Sequence, residues 1–64
     1  MKMGIIWRIY HDENKEFFKG HRQRSTWAFK SFAIRSFKTR NGGKEPKDCP
    51  GWRIIKYALV EIHP

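Results

Sequence analysis

A single cysteine in 64 residues excludes an internal disulfide, and a secreted domain of this size ordinarily needs several. No run approaches the ~20 apolar residues of a membrane span. The opening apolar stretch, Gly4-Ile5-Ile6-Trp7, is broken by Arg8 too soon for a secretory leader. The chain therefore reads as soluble and cytoplasmic, with no membrane partner.

Ligand spacings are missing too. His11, His21, His63, Cys49, Asp12 and Asp48 form no C-x-x-C, H-x-x-x-H or comparable pattern, so no metal is expected. Cys49 lies in Asp48-Cys49-Pro50-Gly51 with no His at a nucleophile spacing. Asp12, Glu13 and Glu16 cluster, but read as turn residues. Gly42-Gly43-Lys44 follows a helical pattern instead of a strand and lacks the spacing of a phosphate-binding loop. Without an acid, base and nucleophile constellation, an enzyme is not expected, nor a cofactor or a small-molecule substrate.

Hydrophobic material is short as well. A single domain of this length, residues 1–64, buries only about 60% of its unfolded surface. Area bookkeeping at roughly 25 cal/mol per Å² then nearly cancels an ordering cost of ~1.5 kcal/mol per residue. Five Phe, three Trp and two Tyr make folding credible, because each ring can bury on the order of 150–250 Å².

Charge is present in excess, and it is placed unevenly. Lys and Arg number 14 against 6 Asp and Glu, a formal net charge of +8. Residues 17–44 hold Lys19, Arg22, Arg24, Lys30, Arg35, Lys38, Arg40 and Lys44 and no carboxylate. Elsewhere the two signs balance. Such a field attracts polyanions: nucleic acid, an acidic protein face or an anionic membrane. A merely solubilising surface would look the same.

The secondary-structure pattern predicts β-β-α-β, an α+β fold with one helix packed on a three-stranded antiparallel-type sheet. Residues 5–10 alternate in β-branched and aromatic side chains. Residues 11–15 are turn-prone, and a second strand over 16–19 closes a hairpin spanning 5–19. Ser25 is the expected N-cap of a helix over 26–40. Ala28, Phe29, Phe32, Ala33, Ser36 and Phe37 form its sheet-facing stripe. Arg40 suits the dipole end, and Asn41-Gly42-Gly43 stops the helix. After a loop over 41–51, a strand over 52–62 is apolar on both faces, which predicts a central position. Whether it pairs with the first strand or the second is left open.

A second helical line carries the binding expectation. Trp27, Ser31, Ile34 and Lys38 recur at i, i+4, i+7 and i+11, flanked by Lys30 and Arg35. With the phenylalanine stripe on the sheet, Trp27 and Ile34 would be an aromatic and aliphatic anchor ringed by cations. That suits a protein interface or stacking on an unpaired base with cations on phosphates. Alternatively, Trp27 folds onto the hairpin or the glycine-rich loop as core. Arg22 and Arg24, just ahead of the helix, form a candidate anion site or a solvated loop.

Taken together, Trp7-x-Ile9, Phe17-Phe18-x-Gly20, Trp27 and Trp52-x-Ile54-x-x-Tyr57-x-Leu59-Val60-Glu61 resemble a family of very small, mostly uncharacterised bacteriophage accessory proteins. The resemblance spans almost the whole chain, through structural positions. It implies a factor that binds nucleic acid or occludes a host polymerase, nuclease or defence complex of the CRISPR-effector type. The expected function is a small basic, non-enzymatic binding protein for nucleic acid or a nucleoprotein machine, with Arg22, Arg24, Trp27, Lys30, Ile34, Arg35 and Lys38 at the interface. The alternative is a protein–protein inhibitor of a host enzyme. A monomer is expected, although an exposed sheet edge would permit a dimer.

Overall fold

The computed structural model describes residues 3–60. Strand β1 (Met3–His11) turns through residues 12–15 into β2 (Glu16–Phe17). A short 3-10 turn (His21–Gln23), helix α1 (Lys30–Arg40), a second 3-10 turn (Pro46–Asp48) and β3 (Trp52–Val60) follow. The result is the expected β-β-α-β fold, with a three-stranded antiparallel sheet.

Strand order corrects one expectation. The sheet runs β2-β1-β3, so β1 is central and β3 lies at an edge, paired with β1 from Met3↔Val60 to His11↔Trp52. Its two apolar faces have another cause. One meets the helix layer through Trp52 and Ile54; the other belongs to a sheet face considered below. The last two residues of the strand expected over 52–62 lie outside the described residues.

β2 is shorter than the expected 16–19. The Phe18 N–H still donates to the Ile9 carbonyl at 2.7 Å, after which the chain leaves the ladder. A tight turn follows, with Arg22 at φ 55° and Gln23 at φ 63°, closed by the Gly20 N–H on the Arg24 carbonyl at 2.7 Å. The chain returns at Trp27, whose N–H and carbonyl both pair with Trp7, at 3.0 and 2.7 Å. That bridge also explains why the helix begins at Lys30 and not at residue 26. Residues bonded into a strand ladder are extended, and Phe29 at the N-cap still has φ −127° and ψ 138°. Ser25 caps nothing; its carbonyl and hydroxyl accept from Arg8 at 3.3 and 3.4 Å.

The later start narrows the expected stripe, and Ala28 is exposed ahead of the helix. Ala33 and Phe37, one turn apart, face the sheet and are fully buried. Phe29 and Phe32, expected in the same stripe, are 61% and 52% exposed. Phe29 precedes the helix, and Phe32 sits about 100° around it from Ala33. The core is instead Ile9, Phe18, Trp27, Ala33 and Phe37, with Trp7, Cys49, Trp52 and Ile54 packed against it. Its rings pack at aromatic-contact distances: Phe18 lies 5.0 Å from Phe37 and 6.1 Å from Trp27, and Phe37 lies 5.5 Å from Trp52. Gly20 is required for space. A Cβ there would run into the Ser36 hydroxyl and meet the Trp27 ring at 3.3 Å. The helix ends where expected: the Asn41 side chain donates to the Phe37 carbonyl at 2.8 Å, and Gly42 and Gly43 take positive φ.

Candidate functional site

The sequence-derived site comes apart into three pieces. Lys30, Arg35 and Lys38 are exposed on α1, with Ile34 half-buried between them. Ser31, Ile34, Arg35, Lys38 and Thr39 line one shallow groove on the outer side of the helix. Arg22 and Arg24 are exposed in the turn that departs from β2, and the Arg24 Nε donates to the Thr26 carbonyl at 2.8 Å. That turn does not join the groove. Gly20, at its base, packs on Ser36, which lies about 200° around the helix from Ile34.

Trp27 is the third piece: of its two readings the core one holds, so it leaves the expected interface. It is 4% exposed, its backbone is tied to Trp7 and its ring faces Phe18. In a chain with so little apolar material, burying an indole outweighs offering it to a partner.

The cations of the acid-free stretch behave as the sequence implies. Lys19, Arg22, Arg24, Lys30, Arg35, Lys38, Arg40 and Lys44 are all exposed. Among the described residues none is paired with a carboxylate; the ion pair present is Arg53 with Asp12 at 2.8 Å. Lys30 and Lys56 place their ammonium groups 5.7 and 5.8 Å from the Trp7 ring, near the outer limit of cation–π attraction.

A second surface was missed. Residues opposed in an antiparallel ladder share a face. Ile9 and Ile54 face α1, so Ile6, Arg8 and Tyr10 of β1 lie with Tyr57, Ile55 and Arg53 of β3 on the far side. Phe17, opposite Tyr10, joins them from β2. Helix α1 packs on the other face, over Ile9 and Ile54; on this one Ile6, Arg8, Tyr10, Phe17, Ile55 and Tyr57 are half-buried and Arg53 is exposed.

Its side chains are ordered by mutual contact. Tyr10 and Phe17 have ring centroids 4.9 Å apart. The Arg8 guanidinium stacks on Phe17 at 3.4 Å and bonds Ser25. Arg53 lies 5.6 Å from the Tyr10 ring, held by Asp12. Tyr10, Phe17, Arg53, Ile55 and Tyr57 line an open hollow of about 350 Å³. The signal was in the sequence: β3 is apolar on both faces, and one helix can cover only one of them.

Phe29 and Phe32 form an exposed edge-to-face pair at 5.4 Å beside Lys30. Cys49 is half-buried against the core. His11 accepts the Asn14 N–H at 3.1 Å and meets Trp52 edge-on at 4.7 Å, so its imidazole closes the hairpin turn. Among the described residues no three His, Cys, Asp or Glu side chains converge on a common point, and no helix is long and apolar enough to cross a membrane. What this surface can do chemically is hold anions and flat rings. Compared with known proteins, the chain matches no family model, no characterised protein and no solved structure.

Proposed function

We propose that this protein is a small non-enzymatic module that binds nucleic acid, alone or within a nucleoprotein machine, as a phage accessory factor would. The observation that carries this reading is the set of exposed, unpaired cations from Lys19 to Lys44. Unpaired cations on short secondary structure attract phosphates and release their counterions, so affinity must depend on salt. The helix presents Lys30, Arg35 and Lys38 around the half-buried Ile34, with Arg22 and Arg24 on a separate flank where they meet a long polyanion and not a compact one.

A titration of binding to a fluorescent single strand and its duplex tests this. With about four phosphates engaged, the log–log slope for a single strand is about −2.8, a fall of roughly 50-fold between about 50 and 200 mM salt. Affinity that is flat over this range refutes the proposal.

One observation favours a second reading, docking on an acidic host protein as an inhibitor. Phe29 and Phe32 are exposed together beside Lys30, and aromatic anchors ringed by cations suit protein hot spots. A Phe29→Ala, Phe32→Ala variant separates the two. Unchanged nucleic-acid affinity leaves the pair to a protein partner; a loss of nucleic-acid affinity assigns it to the first reading.

A further inference from the structure

We propose that the helix-free face of the sheet is a base-stacking platform for single-stranded nucleic acid, with Tyr10 and Tyr57 as the stacking rings and Arg8 and Arg53 as the phosphate and base contacts. The proposal rests on the nucleic-acid reading above and specifies its ligand: a strand whose bases are unpaired.

Three observations carry it. The first is composition by face. Ile6, Arg8, Tyr10, Phe17, Arg53, Ile55 and Tyr57 put three rings and two guanidiniums on one side of the sheet. An uncovered sheet face in a water-soluble domain ordinarily alternates to polar side chains. This one does not.

The second is preorganisation. The Arg8 guanidinium carbon lies over the Phe17 ring, 3.4 Å from its centroid, and the group is directed at Ser25 through Nε and one terminal nitrogen. Guanidinium has five N–H donors, of which the two bonds to Ser25 engage Nε and one terminal nitrogen, and the half-buried side chain keeps further donors for a base or phosphate. Bases stack on guanidinium planes as they do on rings. Arg53 is fixed near Tyr10 by Asp12 in the same manner.

The third is charge. The strand residues described on this face carry no carboxylate: Glu16 pairs with His11 on the opposite side, and Asp12, just past β1, is bonded to Arg53. An anionic occupant is complementary. A second copy of this chain would bring the same two guanidiniums and, from the described strand residues of this face, no carboxylate to pair with them.

Along β1, Tyr10 lies four residues from Ile6, the partner of Tyr57, so the two tyrosines are about 13 Å apart in the strand direction. That span separates two stacked bases, with Arg53 level with Tyr10 and the Arg8–Ile55 pair between the two rings. Duplex DNA cannot use it, because its bases are already stacked on each other.

The test measures binding of fluorescein-labelled oligothymidine and of a duplex of equal length to the full chain and to a Tyr10→Leu, Tyr57→Leu variant. The variant keeps apolar volume and removes the rings. The wild type is expected to bind the strand about tenfold or more tighter than the duplex at equal salt, and the folded variant to lose about tenfold to a hundredfold for the strand. A variant that melts like the wild type and binds the strand equally well overturns the platform. So does wild-type preference for duplex, and so does ring-dependent self-association or polyglutamate binding in place of the strand.

Should the variant fail to fold, photocrosslinking of the wild type to 5-iodouridine oligonucleotide decides. Adducts on Tyr10, Phe17 or Tyr57 support the platform; adducts confined to Trp7, Phe29 or Phe32 overturn it. Failure here is distinct from failure of the broader reading. Salt-sensitive binding of strand and duplex alike removes the platform only, whereas no binding of either at low salt removes both.

Discussion

Replacing Trp27 with alanine separates a core indole from a binding anchor, and its cost can be worked from the packing. The side chain is 4% exposed and lies against Phe18. Burying an indole of about 200–250 Å² at roughly 25 cal/mol per Å² stabilises the fold by about 5–6 kcal/mol as an upper figure. Substitutions of buried Trp by Ala cost about 3–5 kcal/mol. The backbone pairing with Trp7 is not removed, so the loss is the side chain's. A domain of 64 residues has a total stability on the order of 3–10 kcal/mol, so Trp27→Ala leaves a marginal or unfolded chain. Phe29→Ala is the control. This ring is two residues away and 61% exposed, and its removal costs under about 1 kcal/mol. Urea denaturation followed by far-ultraviolet circular dichroism reads both. Equal midpoints, or a Trp27→Ala variant as stable as the wild type, would refute the assignment of Trp27 to the core. Any loss of binding on Trp27→Ala is then a folding effect and says nothing about an interface.

Gly20→Ala should destabilise the fold by about 1–3 kcal/mol, because the added Cβ meets the Ser36 hydroxyl; Ser36→Gly in the same chain should recover part of the loss in thermal melts. Arg35→Ala with Lys38→Ala should lower the salt slope of single-strand binding by about 1.4 while moving the thermal midpoint little, since both side chains are exposed. Asp12→Asn removes an ion pair whose partners are 58% and 53% exposed, so stability should change by less than about 1 kcal/mol.

The fold class was legible because the strands alternate and the helix ends on Asn41-Gly42-Gly43, both local signals. What misled was the segment 25–29. A hydroxyl followed by a long run without Gly or Pro reads as a helix start, yet Trp27 is held extended by two bonds to Trp7, twenty residues back in the chain. Local propensity is weak beside a tertiary ladder that also buries an indole. With residues 25–29 extended, the helix begins at Lys30, and the core reading of Trp27, one of the two the sequence allows, is the one the fold takes. The cations were placed well, since Lys and Arg in a small domain have nowhere to go but outward. The aromatic sheet face was readable in principle. β3 is apolar on both sides, which local pattern cannot tell from a central position in the sheet, because the pairing that makes β1 central, Ile9 with Ile54, is a contact no local pattern records.

The measurement that bears most directly on the central claim is a titration of the isotope-labelled protein with a short single strand at about 50 mM salt, followed by amide chemical shifts. Perturbations should fall on the cation-bearing segments between Lys19 and Lys38 and on β1 and β3 around Tyr10 and Tyr57, and they should shrink as salt is raised. A spectrum that does not change when excess strand is added at low salt would contradict the account: the basic surface would then have some other partner than nucleic acid.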